Sequence, residues 1–429
     1  MRDFLQKWFG PAAPRDDPNL NGVFDEAARE GGCPVCRVRD QRVEHHEFTI
    51  LWEEVNDPGM RAHLVDSWGF AKQHAWEMAS AHFMGVGAPF GMAIIYRDLV
   101  RLLATVLDER HSRTEVMHRL TPERSDPVVT SEKEAANDYT QLLAARAGNE
   151  AFRTRYEKWD GACLPHTDAA LRDAPAESAQ WLRRNAITWL DSRLAAATDA
   201  DGLDALVALL VGNRPPTTEG GWNYGVVPLP LTTALTAVLP LPGCLLCNTD
   251  IVTAQVALAG LTIAGEDLCY AHAWLLADDV RAGGVPLPQA HIALSGMADH
   301  WQRRLQPNAV SVPDTPECPI CIAGRKAEEA NSRTLLERIG DERVQRAVKQ
   351  AEGICVPHLR RLLMQDHAHI ATLLGVEKAC ANRLLTELDA FIRKHDYRYA
   401  DEAKGHEGTS WYRAIRLIAG NPPNRSPAH

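Results

Sequence analysis

Apolar residues recur at three- and four-residue intervals along most of the chain, the spacing of helices that bury one face. The pattern is clearest over 93–107, 179–194, 334–348 and 375–392, and each segment is read as a helix. The strict alternation of half-buried strands is scarce, so the expected fold class is all-α. Asn56-Asp57-Pro58, Asn149 and Asp341 stand where the chain should turn and cap a following helix. The longest uncharged stretch, 220–251 apart from Asp250, holds Pro228, Pro230, Pro240 and Pro242. These would break a membrane-spanning helix repeatedly, and the stretch reads as a linker or docking strap.

A repeat organises these elements. Cys33-Pro34-Val35-Cys36, Cys244-Leu245-Leu246-Cys247 and Cys318-Pro319-Ile320-Cys321 are three Cys-x-x-Cys pairs. Cys163 with His166, Cys269 with His272 and Cys355 with His358 are three Cys-x-x-His pairs, so nine of the ten cysteines fall in motifs. Gly161-Ala162-Cys163-Leu164-Pro165-His166 and Gly353-Ile354-Cys355-Val356-Pro357-His358 are echoed by Gly69-Phe70-Ala71-Lys72-Gln73-His74, where Ala71 replaces the cysteine. The last module separates its motifs by 34 residues and the first by 35, counted to Ala71. Counting 34 back from Cys163 reaches Val129, so Asp126-Pro127-Val128-Val129 reads as a Cys-Pro-x-Cys with both cysteines replaced. The third module is shorter, at 22 residues.

The halves also end alike, in Gly212-Asn213-Arg214-Pro215-Pro216 and Gly420-Asn421-Pro422-Pro423. Tandem duplication of a two-module unit is the simplest account. The expected organisation is an N-terminal extension over 1–30, a first half over 31–214 with modules at 33–74 and 126–166, and a Pro/Gly-rich linker over 215–243. A second half over 244–422 follows, with modules at 244–272 and 318–358, then a tail over 423–429.

The alternation of Cys-Pro-x-Cys with Gly-x-Cys-x-x-His, and the ending Ile392-Arg393-Lys394-His395-Asp396-Tyr397-Arg398-Tyr399, resembles a functionally uncharacterised group of bacterial and archaeal repeat proteins, a domain of unknown function. The likeness spans most of 30–422. It implies a module arrangement and supplies no activity, so chemistry has to come from the residues.

Three thiolates and an imidazole, offered as two close pairs, suit tetrahedral zinc with no vacant position. Read along the chain, Cys244, Cys247, Cys269 and His272 form one structural Cys3His site, and Cys318, Cys321, Cys355 and His358 the other. The expected array is thus clamped by two zinc ions. Each pair should lie at a helix N-terminus, where backbone N–H groups and the helix dipole favour thiolate. Iron–sulfur ligation is the main rival for the same ligands. A thioredoxin-like reading of Cys-Pro-x-Cys needs a βαβ context that the pattern lacks.

The first half is altered. Cys33, Cys36 and His74 could hold a third ion with an open position, the arrangement of catalytic zinc. Decay of a duplicated site is the competing account. Asp126, Cys163 and His166 read as a second degenerate set. His45, His46, His63, His74 and His82 lie close in sequence with Glu44, Glu47 and Glu77, so His45, His46, Glu47, His74 and Glu77 are the candidates for base or second-site ligand. A solvated or hydrogen-bonded helix face explains the same residues without chemistry. Arg393, Lys394, His395, Asp396 and Arg398 could bind an anion or a partner, or form an ion-paired helix end. Cys380 sits in an apolar pattern and reads as a core thiol.

Composition narrows the choice. A chain of 429 residues with 45% hydrophobic and 24% charged residues has enough apolar sequence for two cores. A net charge of -10 argues against a nucleic-acid backbone reader. The first residues carry no secretory apolar run, and ten cysteines in a reducing cytoplasm are ligands or core residues rather than disulfides. No phosphate-binding glycine loop and no Gly-x-Ser-x-Gly elbow is found. The sequence therefore points to a cytoplasmic zinc-binding scaffold or adaptor for a protein partner, with no nucleic acid and no membrane. A metalloenzyme using the first module, and a metal or redox sensor or carrier, are the alternatives.

Overall fold

The computed structural model describes residues 18–80, 83, 85, 87–108, 110–159, 161–214, 232–260, 268–307, 318–399, 401–403 and 405–422. His82, most of the linker expected at 215–243 and the tail at 423–429 lie outside the described residues. The described residues are helical and contain no strand.

In the first half the helices are α1 (Pro18–Arg29), α2 (Pro34–Thr49), α3 (Pro58–Ser67), α4 (Lys72–Met78), α5 (Ala88–Val106) and α6 (Arg113–Arg119). They continue with α7 (Pro127–Arg146), α8 (Glu150–Tyr156), α9 (Leu164–Asp173), α10 (Ala176–Ala196) and α11 (Ala200–Val211). A short α12 (Leu235–Val238) precedes α13 (Leu245–Ala259), α14 (Tyr270–Arg281), α15 (Leu287–Arg304) and α16 (Pro319–Arg338). The chain closes with α17 (Glu342–Gln350), α18 (Val356–Leu363), α19 (Ile370–Arg393) and α20 (Ser410–Ala419).

The caps follow the local sequence. Asp57 accepts a hydrogen bond from the Met60 N–H at 2.7 Å, Asn149 from Phe152 at 3.0 Å and Asp341 from Arg343 at 2.8 Å. These satisfy N–H groups that the first helical turn leaves without a partner. The helix expected over 334–348 is two helices, because Gly340 and Asp341 stop α16 and cap α17. Leu335, Leu336, Ile339, Val344 and Val348 all bury in one core, so the apolar rhythm runs across the break and hides it.

Two motif helices pair in each half, α2 against α7 and α13 against α16. Further packing crosses between halves: α5 lies against α19 and α20, and α11 lies against α14 and α15. One core accordingly joins Tyr96, Leu99 and Leu103 to Leu384, Leu388 and Leu417, and a second joins Leu206 and Leu210 to Leu276 and Leu294.

Candidate metal centres

Six cysteines are helix N-caps: Cys33 for α2, Cys163 for α9, Cys244 for α13, Cys269 for α14, Cys318 for α16 and Cys355 for α18. The second cysteine or the histidine of each motif then lies in the first turn. Ala71 and Asp126 occupy the same capping position at α4 and α7. A site formed by two such helix starts gathers two positive dipole ends around its sulfurs, which favours thiolate.

Three Cys3His groups assemble: Cys33, Cys36, Cys163 and His166 (site 1), Cys244, Cys247, Cys355 and His358 (site 2), and Cys269, His272, Cys318 and Cys321 (site 3). In site 1, His166 Nδ1 lies 3.4 Å from Cys33 Sγ, 3.4 Å from Cys36 Sγ and 3.1 Å from Cys163 Sγ, and Cys36 and Cys163 Sγ are 3.8 Å apart. Site 2 repeats this with 3.4, 3.4 and 3.1 Å from His358 Nδ1 to Cys244, Cys247 and Cys355, and 3.7 Å between Cys247 and Cys355. Site 3 has 3.2, 3.4 and 3.3 Å from His272 Nδ1 to Cys269, Cys318 and Cys321, and 3.7 Å between Cys269 and Cys321. Bonds of about 2.3 Å to sulfur and about 2.05 Å to nitrogen give tetrahedral edges of about 3.8 Å between sulfurs and about 3.6 Å between sulfur and nitrogen. The Cys36–Cys163, Cys247–Cys355 and Cys269–Cys321 spacings match the sulfur edge, the sulfur–nitrogen spacings fall slightly inside theirs, and all four donor atoms of each site lie within 4.8 Å of one another. All ten cysteines are free of disulfides.

This pairing corrects the one read along the chain. Cys244 and Cys247 close with Cys355 and His358, not with Cys269 and His272, and Cys318 and Cys321 close with Cys269 and His272. Cys163 and His166 complete the Cys33 and Cys36 set, so the group Asp126, Cys163 and His166 is not formed, nor is an open site of Cys33, Cys36 and His74. Each half exchanges motifs between its modules. The helices that carry the paired motifs lie side by side, α2 on α7 and α13 on α16, so each motif meets one supplied by the other module of its half.

The fourth combination is Ala71 and His74 with Asp126 and Val129, and there the sulfurs are gone. His74 Nδ1 stands 3.7 Å from Asp126 Oδ1, and Nε2 stands 3.6 Å from Glu132 Oε2. Asp126 also accepts from the Ala71 N–H at 3.0 Å and caps α7 through Val128 and Val129 at 2.9 and 3.1 Å. Burial would lower the His74 pKa, but the Asp126 and Glu132 carboxylates outweigh it and raise it to about 10. An imidazolium between two carboxylates holds the two helix starts that a metal site holds elsewhere.

Sites 1 and 2 share an outer shell that the sequence shows only as an echo. Asn213 Oδ1 accepts from the Cys33 N–H at 2.7 Å while its Nδ2 donates to the Cys33 carbonyl at 3.1 Å. Asn421 does the same to Cys244, at 3.0 and 3.3 Å. The preceding glycines lie over the sulfurs: a Cβ on Gly212 would stand 3.2 Å from Cys36 Sγ, and one on Gly420 3.1 Å from Cys247 Sγ. Their carbonyls accept from tryptophans of the opposite half, Trp274 Nε1 to Gly212 at 3.3 Å and Trp76 Nε1 to Gly420 at 3.0 Å. At site 2, His358 Nε2 also faces Glu328 Oε1 at 3.4 Å, and Arg361 holds that carboxylate at 2.6 Å. Such partners fix the ring of a ligating histidine. Among the described residues no glycine stands over the site 3 sulfurs.

The histidine and glutamate candidates do not converge on an ion. His45 is exposed, and His46 is partly buried and shifted down in pKa by burial. Glu47 is buried, its carboxyl pushed well up by burial and by the nearby Glu77. Glu77 accepts from Gln73 Nε2 at 2.9 Å and is raised by burial. The metalloenzyme reading therefore loses the open site on which it was built. In the C-terminal cluster Arg393 pairs with Glu402, Lys394 with Glu407 at 2.6 Å and Arg398 with Asp396, while His395 Nδ1 meets the Phe391 carbonyl at 2.8 Å.

Residues 314–425 match a family of unknown function, DUF6062. That segment holds one motif pair of site 2 and one of site 3, while their partners at 244–247 and 269–272 precede it. No curated protein and no solved structure matches the chain. No described helix is long and apolar enough to cross a membrane.

Proposed function

We propose that the chain is a zinc-binding helical repeat protein, a tandem duplication clamped by three structural Cys3His centres, that serves as a scaffold or adaptor for a protein partner in the cytoplasm. The observation that carries the metal reading is the convergence of three thiols and an imidazole nitrogen, all within 4.8 Å of one another, in three separate places. Four protein donors close the coordination and leave no position for substrate, as in structural rather than catalytic zinc sites. A polynuclear iron–sulfur cluster spreads its four protein ligands over two or more irons and so holds some of them well apart, whereas here all four donor atoms of each site lie within 4.8 Å of one another, which favours a single ion. Free thiols throughout agree with a reducing compartment.

The metal would tie together segments far apart in the chain. Cys33 and Cys163 are 130 residues apart in sequence, and a structural zinc supplies apparent folding energy on the order of 10 kcal/mol in small domains. Elemental analysis of the purified full-length protein should find three zinc ions per chain, and Cys355→Ala should lose one of them with a marked fall in melting temperature. Iron with visible absorption, or a metal-free protein of unchanged melting temperature, would overturn the reading.

A further inference from the structure

The three sites differ in how well their sulfurs are guarded, and this separates their chemistry. Sites 1 and 2 have all three cysteines buried, a glycine laid over the sulfurs and an asparagine locking the first turn. Site 3 has neither device among the described residues, and Cys269, His272 and Cys321 are all partly exposed. Cys269 and Cys321 Sγ already stand 3.7 Å apart.

The position of site 3 within its half also matters. Its counterpart in the first half is the His74, Asp126 and Glu132 cluster, where the same pair of helix starts is held with no sulfur at all. The architecture therefore tolerates a metal-free arrangement at this position, whereas both counterparts at sites 1 and 2 keep all four ligands.

Resting on the metal reading above, we propose that site 3 is a peroxide-sensitive site: Cys269 and Cys321 are oxidised to a disulfide, and the site gives up its ion while sites 1 and 2 keep theirs. The Cys321 thiolate attacks one oxygen of hydrogen peroxide, breaking the O–O bond to form a sulfenic acid and hydroxide. The Cys269 thiolate then displaces hydroxide from that sulfur, closing the S–S bond at about 2.05 Å. Two thiolates lose two electrons, and peroxide with two protons from solvent becomes two waters. Cys318 and His272 remain, too few donors to retain the ion.

The test uses the zinc-loaded full-length protein titrated with hydrogen peroxide in the presence of a chromogenic zinc chelator, followed by alkylation and peptide mass spectrometry. One zinc of the three should be released, with a Cys269–Cys321 linkage and little loss of helical circular dichroism. Simultaneous loss of all three ions, earlier loss from site 1 or 2, or no release would overturn the proposal while leaving the metal reading intact. Metal analysis before oxidation tests that reading separately. Cys269→Ser should carry two zinc ions and release none under the same treatment; Cys321→Ser should behave alike, and peroxide-triggered release from either variant would refute the assignment.

Discussion

At the scale of single residues, the informative positions are two glycines that carry no chemistry. Gly212 and Gly420 have φ of 110° and 96°, a region that side chains rarely enter, and each faces two sulfurs of a Cys3His set. With ψ of 169° and 173°, backbone conformation alone costs an alanine there about 1–3 kcal/mol, and crowding against a close-packed group adds about 1–3 kcal/mol. Gly283 also has a positive φ, 79°, and no atom lies within 4 Å of its Cβ position, so it reports the cost of such a residue without crowding. Gly420→Ala should lower the melting temperature more than Gly283→Ala and should speed zinc loss to a chelator from site 2. Equal effects of the two substitutions would show that the glycine is there for the turn and not for the sulfurs.

At the scale of elements, helices, caps and the placement of cysteines at helix starts were legible, because each depends on residues within one turn. Cys-Pro-x-Cys puts proline where the helix has a spare N–H, and Asp57, Asn149 and Asp341 announce their caps. Which Cys-x-x-His closes on which Cys-x-x-Cys was not legible, since spacing is a property of the chain and pairing a property of helix length and direction. The one signal was the repeated Gly-Asn ending, which reads as a terminator until Asn213 and Asn421 are seen on Cys33 and Cys244. Glu132, which faces the His74 ring, carried no motif at all.

The His74 cluster makes a prediction with a defined sign. His74 has its folded pKa raised to about 10 from an ordinary value near 6.5, so its contribution is complete below the lower value and is lost as pH rises through the upper one. Asp126 and Glu132 are both depressed: burial opposes the shift at Asp126, His74 leads it at Glu132, and their contribution fades only in acid. His74→Gln leaves two carboxylates without their cation and should cost about 3 kcal/mol at neutral pH. In urea unfolding the gap between wild type and variant should shrink toward pH 10.5. A gap that stays constant from pH 7 to 10.5 would mean that the imidazolium is not what holds α4 to α7.

At the scale of the whole molecule, the two halves guard each other's metal centres. Trp76 follows His74 in the first half, yet its indole N–H reaches Gly420 over the sulfurs of site 2, and its ring meets Tyr412 at 4.5 Å. Trp274 follows His272 in the second half and reaches Gly212 over site 1, with Arg214 stacked on it at 4.4 Å. The contact is reciprocal, so docking of the halves and closure of sites 1 and 2 are linked, and disturbing either should be felt at the other. Trp76→Phe keeps an aromatic ring on Tyr412 and removes only the donor and some volume, leaving a buried carbonyl without its partner at a cost of about 2 kcal/mol. Under chelator challenge Cys247 and Cys355 should become open to alkylation sooner in this variant, with Cys36 and Cys163 unchanged. Trp274→Phe should reverse the two, exposing Cys36 and Cys163 first. Because the affected sulfurs lie in the half that was not mutated, loosening of the mutated half by itself would not produce that crossed pattern, and its absence would show that the two tryptophan contacts do not couple the halves.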